Sequence, residues 1–306
     1  MQDRLSYRAN GKLLISGEYL VLKGATALAI PLIFGQTLSI SDSNTDHISW
    51  ESHDKSGRWF FEEIKPGSFA VLDTDSETIA GKLNTILIAA KKLNPDFLKK
   101  GGICVTMSAN YPLHWGLGSS SSLISLISQW AKVDSWELYR HCFNGSGYDL
   151  ACAKNDFPLF YRLIDSKQEI IRANPGEALK KYSYFAFLGK KQDSSVEVDS
   201  FLLNNKVSGH DIARITALSI DICNEGNYDS LYKKVAEHES IISEILCRPT
   251  LKEERFPGFP GMVKSLGAWG GDFAMFVSDL PGMKVTSLLK NLGIADTIYT
   301  FNELIR

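Results

Sequence analysis

Between an extended apolar stretch and an amphipathic one, positions 111–123 read YPLHWGLGSSSSL. Two glycines one residue apart, followed by four serines, restrict what can stand on either side. Upstream, GICVTMS alternates Ile103, Val105 and Met107 with Cys104, Thr106 and Ser108, the period of a half-buried strand. Downstream, Leu123, Leu126, Ile127, Trp130 and Ala131 recur at helical spacing, so a helix begins within the serines. A strand, a glycine turn and a helix N-terminus can together hold an anion. Glycine lets the backbone approach a ligand closely, while the first-turn N–H groups and the helix dipole favour negative charge. Serine suits the position because its hydroxyl accepts from a first-turn N–H, and it offers ligands to a magnesium ion that bridges phosphates. The motif alone leaves a second reading open, a flexible turn with a serine cap. A GxxxxGK[ST] loop is absent, and Gly116-x-Gly118-x-x-Ser121 matches the dinucleotide pattern GxGxxG only with Ser in the third place and no evident βαβ unit.

Around this loop the chain alternates strand and helix signals. KLLIS, TLSIS, HISWES and RWFFEEI predict strands in the first hundred residues, the last two joined by a hairpin turn at HDKSG. Residues 78–93 place Ile79, Leu83, Ile86, Leu87 and Ala90 on one face and predict an amphipathic helix. A short helix is expected from Asp134 or Ser135, broken by the glycines of FNGSGYD. A strand over 182–191 opens a second domain, followed by helices from Gly209 to Leu246, a glycine turn entering a strand in LGAWGGDFAMFV, and a helix at VTSLLKNLG. With 306 residues the expectation is two domains, 1–180 and 181–306, of α+β class.

Charge then narrows the partners. Lys and Arg (33) nearly balance Asp and Glu (35), which removes the electrostatic basis for nucleic acid or an anionic membrane and leaves a small molecule. The five cysteines form no CxxC pair, and no apolar run has the length of a signal peptide or a membrane span. The expectation is a cytoplasmic monomer or homodimer.

Three further segments join the loop in one pattern. NGKLLISGEYLVLKGATALAIPL resembles the opening motif of the GHMP kinases, closest to the mevalonate and phosphomevalonate branch. YPLHWGLGSSSSL is similar to the second motif of that family, GSGYDLACA to the segment carrying its catalytic Asp, and SLGAWGGDFAMF to its third, glycine-rich motif. The resemblance implies a ribosomal-S5-like N-terminal domain, a ferredoxin-like C-terminal domain, and ATP with Mg2+ as cofactors. It implies that Gly116, Leu117, Gly118, Ser119, Ser120 and Ser121 cradle the triphosphate, with the Ser120 hydroxyl on magnesium. Asp149 would face the acceptor hydroxyl beside Lys12, and Gly267, Gly270 and Gly271 would support the loop. Chemistry favours such a set, because phosphoryl transfer rests on positioning and charge stabilisation. A lysine beside the carboxylate keeps it ionised and steadies the developing alkoxide. Taken singly, Asp149 also reads as a helix cap and Lys12 as a surface charge.

The chain departs from the family in places. Ser120 and Asp149 stand 29 positions apart, a short span for the family, and Glu137 is the nearest candidate for its magnesium glutamate, offset by one residue. Trp269 replaces a small residue, which either narrows the pocket, rests on a ligand, or signals lost nucleotide binding. His114 reads as an anion contact or as an ordinary loop histidine. A phosphorylated acceptor would call on Lys12, Arg140, Arg162, Lys190 or Lys191. The resemblance therefore implies an ATP-dependent kinase for mevalonate or phosphomevalonate, with a catalytically silent regulatory homologue and a diphosphomevalonate decarboxylase as alternatives.

Overall fold

The computed structural model describes residues 5–189, 194–204, 207–294 and 297–305. In chain order the first part comprises β1 (Leu5–Ser16), β2 (Ala27–Asp42), β3 (Ile48–Asp54), β4 (Gly57–Ile64), β5 (Val71–Thr74), α1 (Glu77–Leu93) and β6 (Ile103–Ala109). Helices α2 (Ser119–Ala131), α3 (Ser135–Cys142) and α4 (Tyr148–Lys154) follow, then the pair β7 (Leu159–Ile164) and β8 (Lys167–Arg172). The remainder holds α5 (Glu177–Tyr182), β9 (Ser183–Phe187), α6 (Ser194–Asn204), α7 (Gly209–Asn224), α8 (Tyr228–Leu246) and α9 (Leu251–Arg255). It closes with β10 (Met262–Leu266), β11 (Phe273–Val277), α10 (Gly282–Asn291), β12 (Ile298–Thr300) and α11 (Phe301–Leu304). No described helix is long and apolar enough to cross a membrane.

The chain forms two compact units, neither of them one continuous stretch. The first takes the chain up to Gly11, Phe34–Leu113 and Leu117–Asn155; the second takes Lys12–Ile33, His114–Gly116 and the chain from Asp156. A single boundary near residue 180 does not describe this division, because hydrophobic periodicity marks an element's buried face without naming the partner that covers it.

In the first unit the strand order is β5-β4-β3-β6-β2, with β3 and β6 parallel and the other neighbours antiparallel. The expected HISWES/RWFFEEI hairpin is present, with Ser56 N–H donating to Asp54 in its turn. Helices α1 to α4 bury Leu83, Leu87, Ile124, Ile127, Leu138 and Leu150 in a core shared with Trp50 and Val105 of the sheet. Each large side chain so buried contributes about 1.5–3 kcal/mol.

In the second unit the start of β2 (Ala27 to Ala29) pairs with β7, and β7 with β8. A separate antiparallel sheet runs β10-β11-β9-β12. Every residue of β9, β10 and β11 is buried, which is why SYFAF and FAMFV read as continuous apolar runs without alternation. One core packs Val285 and Leu289 of α10 against this sheet, and another gathers Tyr19, Leu20, Phe201, Leu218, Ile242 and Trp269.

Candidate active site

The glycine-serine loop is built as the sequence requires. Gly116 (φ 70°) and Gly118 (φ 86°) both adopt left-handed backbone, which costs an L-residue about 1–2 kcal/mol. Gly118 is the N-cap of α2, and no side chain caps the helix. Here the structure differs from the serine-cap expectation, because the hydroxyls point elsewhere. Ser122 Oγ donates to the Asn10 carbonyl at 3.0 Å and to that of Gly118 at 3.1 Å. Ser119 is half-buried, Ser120 is exposed in the first turn, and the buried Ser121 donates its hydroxyl to Asp149.

Close packing against β1 explains a glycine that sequence reasoning left without a role. A Cβ on Gly11 would lie 2.9 Å from the Leu117 carbonyl oxygen and 2.9 Å from that of Phe34. Only glycine lets the loop rest on that strand. The next residue, Lys12, is half-buried on β1 and is the first residue of the second unit.

Asp149 lies in the first turn of α4, whose N-cap is Gly147 with no side-chain cap bond, so it is not the cap that a helix-start reading allows. One carboxylate oxygen accepts from Ser121; the other accepts from Leu150 N–H at 3.0 Å and, at a long 3.4 Å, from Tyr139 O–H. Carboxylate and α2 N-terminus therefore meet directly. Tyr139, which sequence reasoning missed, sits two residues beyond Glu137 on α3. Two residues are about 200° of helix, so Glu137 faces away from this carboxylate, and it is exposed.

In the second unit the third glycine motif is a locked turn. Trp269 N–H donates to Tyr19 Oη at 2.7 Å, Gly270 N–H to Ser265 Oγ at 3.2 Å, and Gly271 N–H to the Ala268 carbonyl at 3.0 Å. The Trp269 ring is a core residue, with Nε1–H donating to the Pro249 carbonyl at 3.1 Å and only 6% of the residue exposed. Its burial removes the pocket-narrowing reading. Burial also pushes the Tyr19 hydroxyl up to about 12, so it stays protonated.

Behind this turn lies a buried ionic cluster that the sequence did not announce. Lys264 Nζ donates to Glu18 at 2.7 Å, Glu239 at 3.1 Å and the Ser265 carbonyl at 3.1 Å, while Glu239 accepts from Ser265 N–H at 3.1 Å. Burial opposes the Lys264 charge, yet the two carboxylates together hold its pKa above the usual lysine value. Burial pushes the Glu239 carboxyl up to about 7 and raises Glu18 as well, against the pull of Lys264. His238 is held neutral by burial, with Lys264 adding to the effect. Its Nε2 accepts from Gly17 N–H at 3.1 Å and lies 3.3 Å from Glu18 Oε2.

Other sequence candidates are scattered. His114 is exposed, with its ring 5.3 Å from Phe187. Arg140 is exposed, and Arg162 donates to the Gly24 carbonyl at 2.8 Å. Lys190 and Lys191 lie outside the described residues. Among the described residues no three His, Cys, Asp or Glu side chains are grouped to hold a metal ion.

No protein-family model matches the chain, and no curated protein matches it in sequence. Solved structures do match its fold. A Lin0012 protein from Listeria innocua superposes with TM-score 0.71 at 17% identity, covering 97% of this chain and 99% of that one. Methanococcus jannaschii mevalonate kinase gives 0.69 at 15% identity, covering 97% of both chains. Streptococcus pneumoniae phosphomevalonate kinase, in complex with phosphomevalonate and AMPPNP, gives 0.69 at 17%, covering 97% of this chain and all of that one. The fold is that of the GHMP kinases. Within that fold class, the matches extend over nearly the whole of this chain.

Proposed function

We propose that the protein is an ATP-dependent small-molecule kinase, with mevalonate or phosphomevalonate as the phosphoryl acceptor. One observation carries the reading: the Ser121 hydroxyl, in the first turn of an uncapped helix, is bonded to the Asp149 carboxylate. A polyanion seated on the first-turn amides of α2 thus lies beside a carboxylate able to accept a hydroxyl proton. Asp149 orients the acceptor and takes its proton, and Lys12 is the cation assigned to the developing alkoxide. Gly116 to Ser121 hold the donor phosphates.

Magnesium fits the residues present. The exposed Ser120 hydroxyl is a hard oxygen donor in the first turn of α2, and magnesium bound with phosphates takes most of its other ligands from phosphate oxygens and water. The ion would neutralise phosphate charge. Glu137, turned away, is not required for this set.

ATP consumption by the purified chain against mevalonate, phosphomevalonate, homoserine and galactose tests the reading. Turnover with one of the first two is expected. Asp149→Asn should then lower kcat about 1000-fold while AMPPNP affinity stays within about 3-fold. Nucleotide binding without transfer to any acceptor would favour the silent homologue, and undiminished turnover in Asp149→Asn would remove this carboxylate from the mechanism.

A further inference from the structure

We propose that the third glycine motif acts on the glycine-serine loop through the side chain of Asp272, a positioning residue, and not through its own amides. The turn at 267–271 has the composition of an anion cradle. Yet the N–H groups of Trp269, Gly270 and Gly271 all donate within the protein. An amide already bonded has little left for a ligand, and withdrawing one from a buried partner costs about 1–3 kcal/mol.

The turn instead delivers the residue that follows it. Asp272 is 8% exposed, and its main chain is fixed by its carbonyl, which accepts from Leu188 N–H at 2.8 Å. Its carboxylate occupies the space that a Cβ on Gly116 would fill. Gly116 must therefore be glycine twice over, for its left-handed backbone and for the group packed on its Cα. Beside it, Trp115 stacks on Phe187 (centroids 5.8 Å apart, planes at 29°) and meets Phe273 at 6.0 Å and Tyr299 at 6.1 Å. These rings come from β9, β11 and β12. The carboxylate and the ring cluster together seat His114–Gly116 on the C-terminal sheet.

Upstream, the turn is held by the buried cluster. Glu239 fixes Ser265 N–H, Ser265 Oγ fixes Gly270 N–H, and Lys264 ties the same strand to Glu18 of the opening motif. Rigidity so arranged costs nothing at the moment of binding, which is the benefit of a preorganised site. Its meaning for nucleotide affinity rests on the kinase reading above.

The test compares Asp272→Ala, which empties the seat, with Asp272→Asn, which keeps its shape. The first measurement is amide hydrogen exchange over residues 113–121 of the nucleotide-free full chain, with α8 as the internal control. Asp272→Ala should speed exchange in that segment about 10-fold or more and leave α8 unchanged, while Asp272→Asn stays within about 3-fold. The second is AMPPNP binding with magnesium: Asp272→Ala should weaken it about 10-fold, and in turnover KM for ATP should rise more than kcat falls. If Asp272→Ala does not fold, Gly116→Ala tests the same seat from the other side and should show the same local exchange. Exchange in Asp272→Ala indistinguishable from the parent overturns the proposal, as does damage from Asp272→Asn equal to that from Asp272→Ala. A parent protein that binds no AMPPNP sinks the kinase reading, and the exchange measurement still decides this one.

Discussion

Two glycine-rich turns of this molecule have similar composition and opposite hydrogen bonding. At GLGSSSS the backbone turns left-handed at Gly116 and Gly118, opens α2 and receives no side-chain cap. At LGAWGGD the backbone is left-handed at Gly267 and Gly270, yet three successive N–H groups are already bonded and a tryptophan ring anchors the turn in a core. Glycine content locates where a chain must bend or be closely approached. Only the partners of the N–H groups separate a turn that can receive a ligand from one that is structural.

The largest effect that would sharpen this contrast lies behind the locked turn. Lys264→Met leaves Glu18 and Glu239 buried without their cation, and should destabilise the fold by about 3–5 kcal/mol, read as a fall in denaturation midpoint. A midpoint unchanged from the parent would mean that the cluster does not hold the turn. Next, the two loops can be compared by the same substitution. Gly118→Ala (φ 86°) and Gly270→Ala (φ 81°) should each cost about 1–2 kcal/mol of stability. Of the two, Gly118→Ala should carry the larger loss of AMPPNP affinity in calorimetry. Equal losses would erase the distinction drawn between the turns.

Ser121→Ala removes one of the hydroxyls bonded to Asp149 and should lower kcat about 10-fold with smaller change in stability. One further effect concerns a buried carboxyl on β4. Burial pushes Glu62 up to about 7, although Asn84 Nδ2 donates to it at 2.7 Å. The folded state therefore holds a proton that the unfolded chain releases near pH 4.5, so this contribution is full below that value and is lost as pH rises through about 7. Glu62→Gln, which mimics the protonated acid, should match the parent near pH 4.5 and exceed it by about 2 kcal/mol at pH 8 in chemical denaturation. A stability difference independent of pH would place the proton elsewhere.

Local elements were legible wherever their periodicity was strong. The helix at 78–93, the strand at 103, the helix beginning within the serines and the strand in FAMFV stand where the pattern put them, within a residue or two. The full length of β2 was not readable, because ALAIPLIFGQ carries a proline and no alternation. It pairs with β7 at one end and β6 at the other, and long-range pairing of that kind leaves no local signal. At the site, the glycine spacing and Asp149 were visible as motifs, whereas Tyr139 and Asp272 were not. Tyr139 reads as an amphipathic helix residue, and Asp272 as one acid after a glycine turn. The tag GGD was the only hint.

From the amino-acid order alone came the elements themselves, the positions where backbone must turn left-handed, and the order of four motifs along the chain. These are decided by sterics and side-chain period within about 20 residues. Folding decided the rest: that Ser121 meets Asp149, that Trp269 is a core residue, that three successive amides of the third turn are already bonded, and that a lysine and two glutamates are buried together. Each of these depends on groups far apart in sequence brought within bonding distance, and the free energy that holds them there comes from burial, which no stretch of chain achieves by itself.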